Sequence, residues 1–440
     1  MLYQKETKKA LNNFQFTGRP FSIELAKNIA RIKKCAAKTH TEQRTLRPVK
    51  GRAIAKAADE VLKGDHDEDI VVDELQGGAG TSMNMNVNEI IATRASQILK
   101  DKEEVHAIDD VNKAQSTNDV VPSAMKITAL YYLDALIETY EEYYKEFDAK
   151  SKEYKDILKV GRTHLQDAIP ITLGQEFGAH ARAINEDIRR FKAVKKTLYS
   201  VNLGGTAIGT GLNATATFAN SIIAKLAHET GYPLKRADNL VYATQYHDCF
   251  AEVSAMLAIA SINICKCMND LRLLSSGPKA GFGEISFSKL QAGSSIMPGK
   301  VNPVMSELLN QVAFQVIGNN TTIFMAVQSG QLELNVMLPV VAKTLFESLD
   351  LMIKGVNKFT ERGLKKLRVD RKRCEFLVEN SFTLITALTP KIGYDSAVDV
   401  LKEVQKTEVP LAEVLEKRGI MSKQEYKKLV SNKYLTQLKP

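Results

Sequence analysis

The sequence predicts a mainly α-helical protein. Three observations carry that reading: long apolar stripes at helical spacing, a scarcity of alternating strand patterns, and polar segments rich in Gly, Ser, Thr and Asn between the stripes. Leu130, Leu133, Ile137, Tyr140, Tyr144 and Phe147 form the first stripe, and Phe177, Ala181, Ile184, Ile188 and Phe191 the second. The third runs Val253, Leu257, Ala260, Ile264, Cys267, Leu271 and Leu274. Leu309, Val312, Val316 and Ile323 make a looser fourth, and Leu345, Leu349, Met352, Val356 and Phe359 a fifth. Steps of three and four residues predict long helices packed at shallow angles in a bundle. Some are apolar on more than one face: between 253 and 264 only Ser254, Ser261 and Asn263 interrupt the run. A helix of that kind needs cover from more protein, so a homo-oligomer is expected.

Bulk properties narrow the function classes. The 440 residues suffice for two or three domains, and 44% hydrophobic with 25% charged residues is ordinary for a soluble globular chain. The opening MLYQKETKK lacks the apolar core of a secretory signal, and no apolar run approaches the roughly 18 residues of a membrane span. A cytoplasmic location and no membrane partner are therefore expected. Cys35, Cys249, Cys265, Cys267 and Cys374 show no framework spacing, and no histidine joins them at zinc-finger spacing, so no metal is expected. The net charge of +9 is spread along the chain. Its densest cluster, Lys365, Lys366, Arg368, Arg371, Lys372 and Arg373, reads as a solvated helix face, and no nucleic-acid partner is expected.

The polar segments carry the chemistry. They are 76–88 (QGGAGTSMNMNVN), 114–119 (AQSTND), 161–176 (GRTHLQDAIPITLGQE), 204–213 (GGTAIGTGLN) and 292–303 (AGSSIMPGKVNP). The last is not a Walker loop: five residues separate Gly293 from Gly299, and Val301 follows Lys300. Segment 204–213 lacks the spacing of a dinucleotide fingerprint, and no G-x-S-x-G elbow is present. Together the segments supply Thr81, Ser82, Ser116, Thr117, Asn118, Thr163, His164, Ser294, Lys300 and Asn302. Neutral donors with one cation suit a small anion, and suit stabilising further negative charge on it during reaction. Paired carboxylates for glycoside hydrolysis are not among them. The expected division is an N-terminal domain over 1–114, a central helix-bundle domain over 115–370 and a small C-terminal helical domain over 371–440.

Residues 293–303, GSSIMPGKVNP, resemble the signature G-S-S-x-M-P-x-K-x-N of the fumarase/aspartase superfamily, and the other four segments follow in that family's order. The resemblance covers nearly the whole chain. It implies an all-α, three-domain fold whose central bundle assembles into a homotetramer, with active sites shared between three subunits and no metal or organic cofactor. It implies Ser294 as the catalytic base, with Lys300 and Asn302 on substrate carboxylate. Thr81, Ser82, Ser116, Thr117 and Asn118 match the first two binding regions, and Thr163 and His164 the third, with Glu307 as the histidine's carboxylate partner. The implied chemistry removes a proton beside a carboxylate, giving an aci-carboxylate dianion, and then expels a group from the next carbon.

Within the family, QGGAGTS, the STND of 116–119 and GQLELNVM (330–337) resemble the aspartase branch, implying reversible deamination of L-aspartate to fumarate. The alternative is the class II fumarase branch, where Asp109-Asp110-Val111-Asn112 and Ile392-Gly393-Tyr394-Asp395 are equally at home. A non-catalytic structural or binding member is a further alternative, although that role has no use for Ser294, Lys300, Asn302 and His164. Four departures bear on rate and regulation: a late start relative to the family before Thr7, Ala10, Asn13 and Phe14; Lys9 where an arginine is common; Leu338 where aspartases carry glutamate; and a short connection over 101–110.

Overall fold

Each apolar stripe folds as a long helix. The computed structural model describes residues 1–100, 102–430 and 435–437, so Asp101, in the short connection, and parts of the C-terminal stretch lie outside the described residues. The five stripes become helices Thr117–Glu153, Leu173–Val194, Asp248–Leu274, Val304–Gln328 and Leu338–Phe359. Their stripe residues are buried with one exception. Tyr144 is only half-buried, and its neighbour Tyr143 takes the core position, edge-on to Phe147 at 5.1 Å and to Phe359 at 6.1 Å. Both tyrosines stand three or four residues from Tyr140, so spacing alone does not choose between them.

Sixteen α-helices occur among the described residues, against three two-stranded sheets. The fold class is the mainly α one the sequence predicts. The largest sheet is an antiparallel hairpin, Leu158–Thr163 with Gln166–Thr172, in a segment that reads as a loop in the sequence. Its two-residue tip, His164-Leu165, has both residues at positive φ (54° and 61°). A turn of that hand suits strand twist but usually recruits Asn or Gly, so nothing in the sequence announces it.

Two compact units share the chain. One gathers Met1–Glu138, Asp187–Ser261 and Val312–Lys354; the other gathers Thr139–Glu186, Ile262–Gln311 and Gly355–Pro440. In the first, buried carboxylates tie loops and helix starts together. Glu89 accepts the backbone N–H groups of Gln4, Glu6 and Thr7 at 2.7, 2.7 and 3.1 Å, capping helix Lys5–Phe14 from outside. Asp73 accepts those of Phe16, Thr17 and Gly18. Burial alone would raise its pKa, but these donors, with Leu75 N–H and the Thr17 hydroxyl, outweigh that and hold it low. In the second unit, Leu388, Val400 and Leu415 are fully buried at the centre of the C-terminal helices.

Helices Thr117–Glu153 and Asp248–Leu274 are long and apolar enough, by length and composition, to cross a bilayer. Core helices of a bundle meet the same measure, because neighbours surround them. Helix Val304–Gln328 behaves differently on its outer side: Phe314, Gly318, Thr321 and Met325 form an exposed line, with Phe314 60% and Met325 59% accessible. Phe147, by contrast, is fully enclosed by Tyr143, Phe177 and His180. Replacing it by alanine should cost about 3–5 kcal/mol in denaturant unfolding, with far-UV circular dichroism retained in buffer.

Candidate active site

Two helix N-termini open on one cavity of about 820 Å³ in the first unit, lined among others by Thr81, Asn84, Ser116, Thr117, Thr206 and His40. The first belongs to helix Thr81–Ile98. Gly78, Ala79 and Gly80 precede it with φ of 89°, 57° and 87°, three left-handed residues in a row. At Gly80 a Cβ would also stand 3.1 Å from Val121 Cγ1, so glycine is required there twice over. The turn is closed by the N–H and hydroxyl of Thr81, both donated to Gly78 O at 2.9 and 2.7 Å. The first-turn N–H groups beyond it have no partner in their own helix and carry the positive end of its dipole.

The second N-terminus begins at Ser116-Thr117. Ser116 Oγ accepts Asn118 N–H at 3.2 Å, while Asp119 Oδ1 accepts Ser116 N–H at 2.9 Å, a reciprocal cap that explains a serine followed three residues later by an acid. The other Asp119 oxygen accepts Gly204 and Thr206 N–H at 3.0 and 3.1 Å, docking the Gly-rich segment 204–213 on the helix start. Pro122 completes the joint. Its missing N–H leaves Asn118 O free of a helical partner, and that carbonyl accepts Asn202 Nδ2 at 2.9 Å. Asn118 itself donates to Ala207 O at 2.7 Å, so its side chain holds the loop.

Beneath the cavity the electrostatics are unusual. Burial pushes the Asp119 carboxyl up to about 6, against the opposing pull of the three backbone N–H groups and of Lys33. Burial likewise lowers Lys33 to about 7, with Asp119 pulling it back. Lys33 is fully buried and donates to Asn112 Oδ1 and Gln115 Oε1 at 2.8 and 3.1 Å. Asn112 also accepts from Asn84 at 3.1 Å. Two cavity-lining oxygens, Asn84 Oδ1 and Thr206 Oγ1, are buried with no hydrogen-bond partner, as expected at a site that takes a polar ligand.

The remaining candidate residues lie in the second unit. Segment 293–303 closes on itself: Asn302 Nδ2 donates to Gly293 O at 2.9 Å, and a Cβ on Gly293 would meet Lys300 O at 1.8 Å. At its start Ser294 Oγ accepts the N–H groups of Ile296 and Met297 at 3.1 and 3.0 Å, and donors so placed favour the negative oxygen. Lys300, Asn302 and Glu307 line a cavity of about 570 Å³ with Asn269, Arg272 and Ser276. Thr163 and His164 are exposed at the hairpin tip, and no ion pair joins His164 to Glu307 among the described residues.

Within one chain, then, the cavity of the first unit holds Thr81, Ser116 and Thr117, with Ser82 and Asn118 beside them in sequence. The second cavity holds Lys300, Asn302 and Glu307, and neither lining includes Ser294 or His164. Sequence reasoning passed over Lys33, Asn84, Asn112 and Asp119. Lys33 had a signal: it interrupts the buried stripe Leu25, Ile29, Ala36, His40 at helical spacing. A lysine on an apolar face is either paired or functional. Replacing Asp119 by alanine should cost about 2–3 kcal/mol and speed hydrogen exchange at the Gly204 and Thr206 amides. Unchanged exchange there would remove Asp119 as the joint.

Comparison with known proteins places this arrangement. A family model described as Lyase matches residues 1–318, and one described as Fumarase C C-terminus matches 384–437. The chain is 45% identical to the aspartate ammonia-lyase of Bacillus subtilis (strain 168), over 96% of this chain and 90% of that one. With the aspartate ammonia-lyase of Escherichia coli (strain K12) identity is 40%, over 96% and 90%. Among solved structures, the fumarate lyase:delta crystallin of Brucella melitensis bound to cobalt superposes with a TM-score of 0.94 at 39% identity, covering 98% of this chain and 95% of that one. The class II fumarase of Schistosoma mansoni gives 0.93 at 31%, covering 98% and 95%. The chain belongs to the fumarase/aspartase superfamily of lyases.

Proposed function

We propose that the chain is an aspartate ammonia-lyase, interconverting L-aspartate with fumarate and ammonia. The observation that carries the reading is the cavity where two helix N-termini, opening with Thr81 and with Ser116-Thr117, bring the positive ends of their dipoles and the buried unpaired oxygens of Asn84 and Thr206 to a space that suits a small polar anion. Relatives 40–45% identical over nearly the whole chain bear that enzyme's name.

The chemistry follows from what the carbon acid demands. Loss of a proton from the carbon beside a carboxylate places a second negative charge on that carboxylate. N–H groups, hydroxyls, Lys300 and Asn302 aimed at it lower the barrier, each donor by roughly 3–4 kcal/mol where water is excluded. Ser294 takes the proton, its alkoxide favoured by the Ile296 and Met297 N–H groups. The electron pair left on carbon then forms the double bond as the neighbouring carbon–nitrogen bond breaks, and ammonia departs. Thr163 and His164 orient the substrate, with Glu307 as partner of the histidine. No step is assigned to a metal or an organic cofactor.

These groups belong to two compact units of the chain and line different cavities, and the reading includes a cytoplasmic homotetramer in which three copies contribute to each site. The exposed line Phe314–Met325 supports it, as a face suited to a neighbouring helix. Domains over 1–114, 115–370 and 371–440 belong to the same proposal.

Absorbance of fumarate after adding L-aspartate, with L-malate as competitor, is the direct assay. Fumarate should form from L-aspartate; formation from L-malate alone would transfer the chain to the fumarases, and silence with both would leave a non-catalytic member. Ser294→Ala should lower kcat by about 10²–10⁴-fold with the oligomer intact. A near-normal rate would take Ser294 out of the base role.

A further inference from the structure

Two segments that the deamination reading uses, the hairpin tip and loop 293–303, hang from one buried ionic cluster to which that reading gives no task. Glu284 is fully buried. One of its oxygens accepts from Arg162 Nη2 at 3.0 Å, and the other lies 3.3 Å from Lys159 Nζ. Lys159, also buried, reaches Glu176 at 3.1 Å. The Arg162 guanidinium lies over the Phe282 ring, its Cζ 4.0 Å from the centroid. Phe282 is held in turn: its carbonyl and that of Gly281 accept Arg373 at 2.9 and 2.8 Å. Backbone pairing finishes the anchor, with Asp370 N–H donated to Glu284 O at 2.9 Å and Ile285–Ser286 paired to Arg368–Val369.

The positions of these residues in the chain give the cluster its meaning. Arg162 immediately precedes Thr163 and His164, and Glu284 stands ten residues before Ser294. Below the tip the hairpin is drawn tight: its register slips at Gly161, where a Cβ would stand 2.5 Å from Ile169 O. Taking this much charge out of water is costly, and an apolar cluster would hold the same segments together. A guanidinium–carboxylate contact adds direction, because planar groups join in few orientations.

We propose that Arg162 and Glu284 are a positioning pair, fixing the Thr163–His164 tip against the root of the Ser294 loop so that turnover depends on their charge-assisted contact. The inference rests on the deamination reading for its kinetic arm and on the hairpin alone for its structural arm.

The test compares the parent with Arg162→Lys, Glu284→Gln and the double variant. Steady-state fumarate formation, thermal unfolding and hydrogen exchange at residues 163–165 are measured on the full-length proteins. Each single change should lower kcat by at least roughly tenfold with KM for L-aspartate nearly unchanged, since orientation is lost while binding groups remain. The double variant should be no worse than the poorer single one, as for two groups acting through one contact. Exchange at the tip should rise in Arg162→Lys, which keeps the charge but loses the planar group that reaches Glu284 and Val160 O at once. A kcat within about twofold of the parent, with only the thermal midpoint lowered, would reduce the pair to fold stability. Should Glu284→Gln not fold, Arg162→Lys decides. A parent inactive on L-aspartate would refute the deamination reading, and unchanged tip exchange in Arg162→Lys would still overturn the pair.

Discussion

A carbon beside a carboxylate yields its proton only where the second negative charge is met by donors already in position. Water provides such donors at the cost of reorganising; a folded protein must hold them still beforehand. Much of the first unit can be understood as a device for this. Helices Thr81–Ile98 and Thr117–Glu153 point their starts at one cavity, and their dipoles need no titration to be ready. Buried groups around the cavity keep the starts in place: Asp119 gathers three backbone N–H groups, and Lys33 braces Asn112 and Gln115.

Local strain sits in the loops beside the helix starts and at the hairpin tip. Ala79 holds φ at 57° between two glycines, a conformation an L side chain adopts at a cost of roughly 1–2 kcal/mol. The hairpin tip places His164 and Leu165 in the same region. Long, well-packed helices tolerate such local costs, because burial of stripes such as Leu130 to Phe147 supplies stability far from the loops. Loop chemistry and bundle stability are thus carried by different parts of the same chain.

The helices were legible in the sequence because burial imposes a spacing of three and four residues on them, and every long stripe became a helix. Tyr143 and Tyr144 mark the limit, since adjacent aromatics satisfy the same spacing. The hairpin over 158–172 was not legible, for its turn uses His and Leu in place of the residues that usually mark such turns. Of the candidate residues, the signature loop, Thr81 and Ser116-Thr117 could be singled out from type and order. Asp119 and Glu284 could not, because their importance lies in partners 85 and 122 residues away along the chain, Gly204 and Arg162; Lys33 was marked only by its break in a buried stripe. Pro122 shows the same principle in small: only the fold reveals that its missing N–H frees the carbonyl that Asn202 takes.

The central proposal is that groups from the two units, the Thr81 helix start and the Ser294 loop, meet across copies to hold the doubled charge. Subunit complementation tests it most directly. Thr81→Ala and Ser294→Ala proteins, each inactive alone, would be unfolded together, refolded as a mixture and assayed for fumarate formation from L-aspartate. If each site draws these residues from different copies, random mixing restores about a quarter of the sites. A mixture as inactive as its components would contradict the claim.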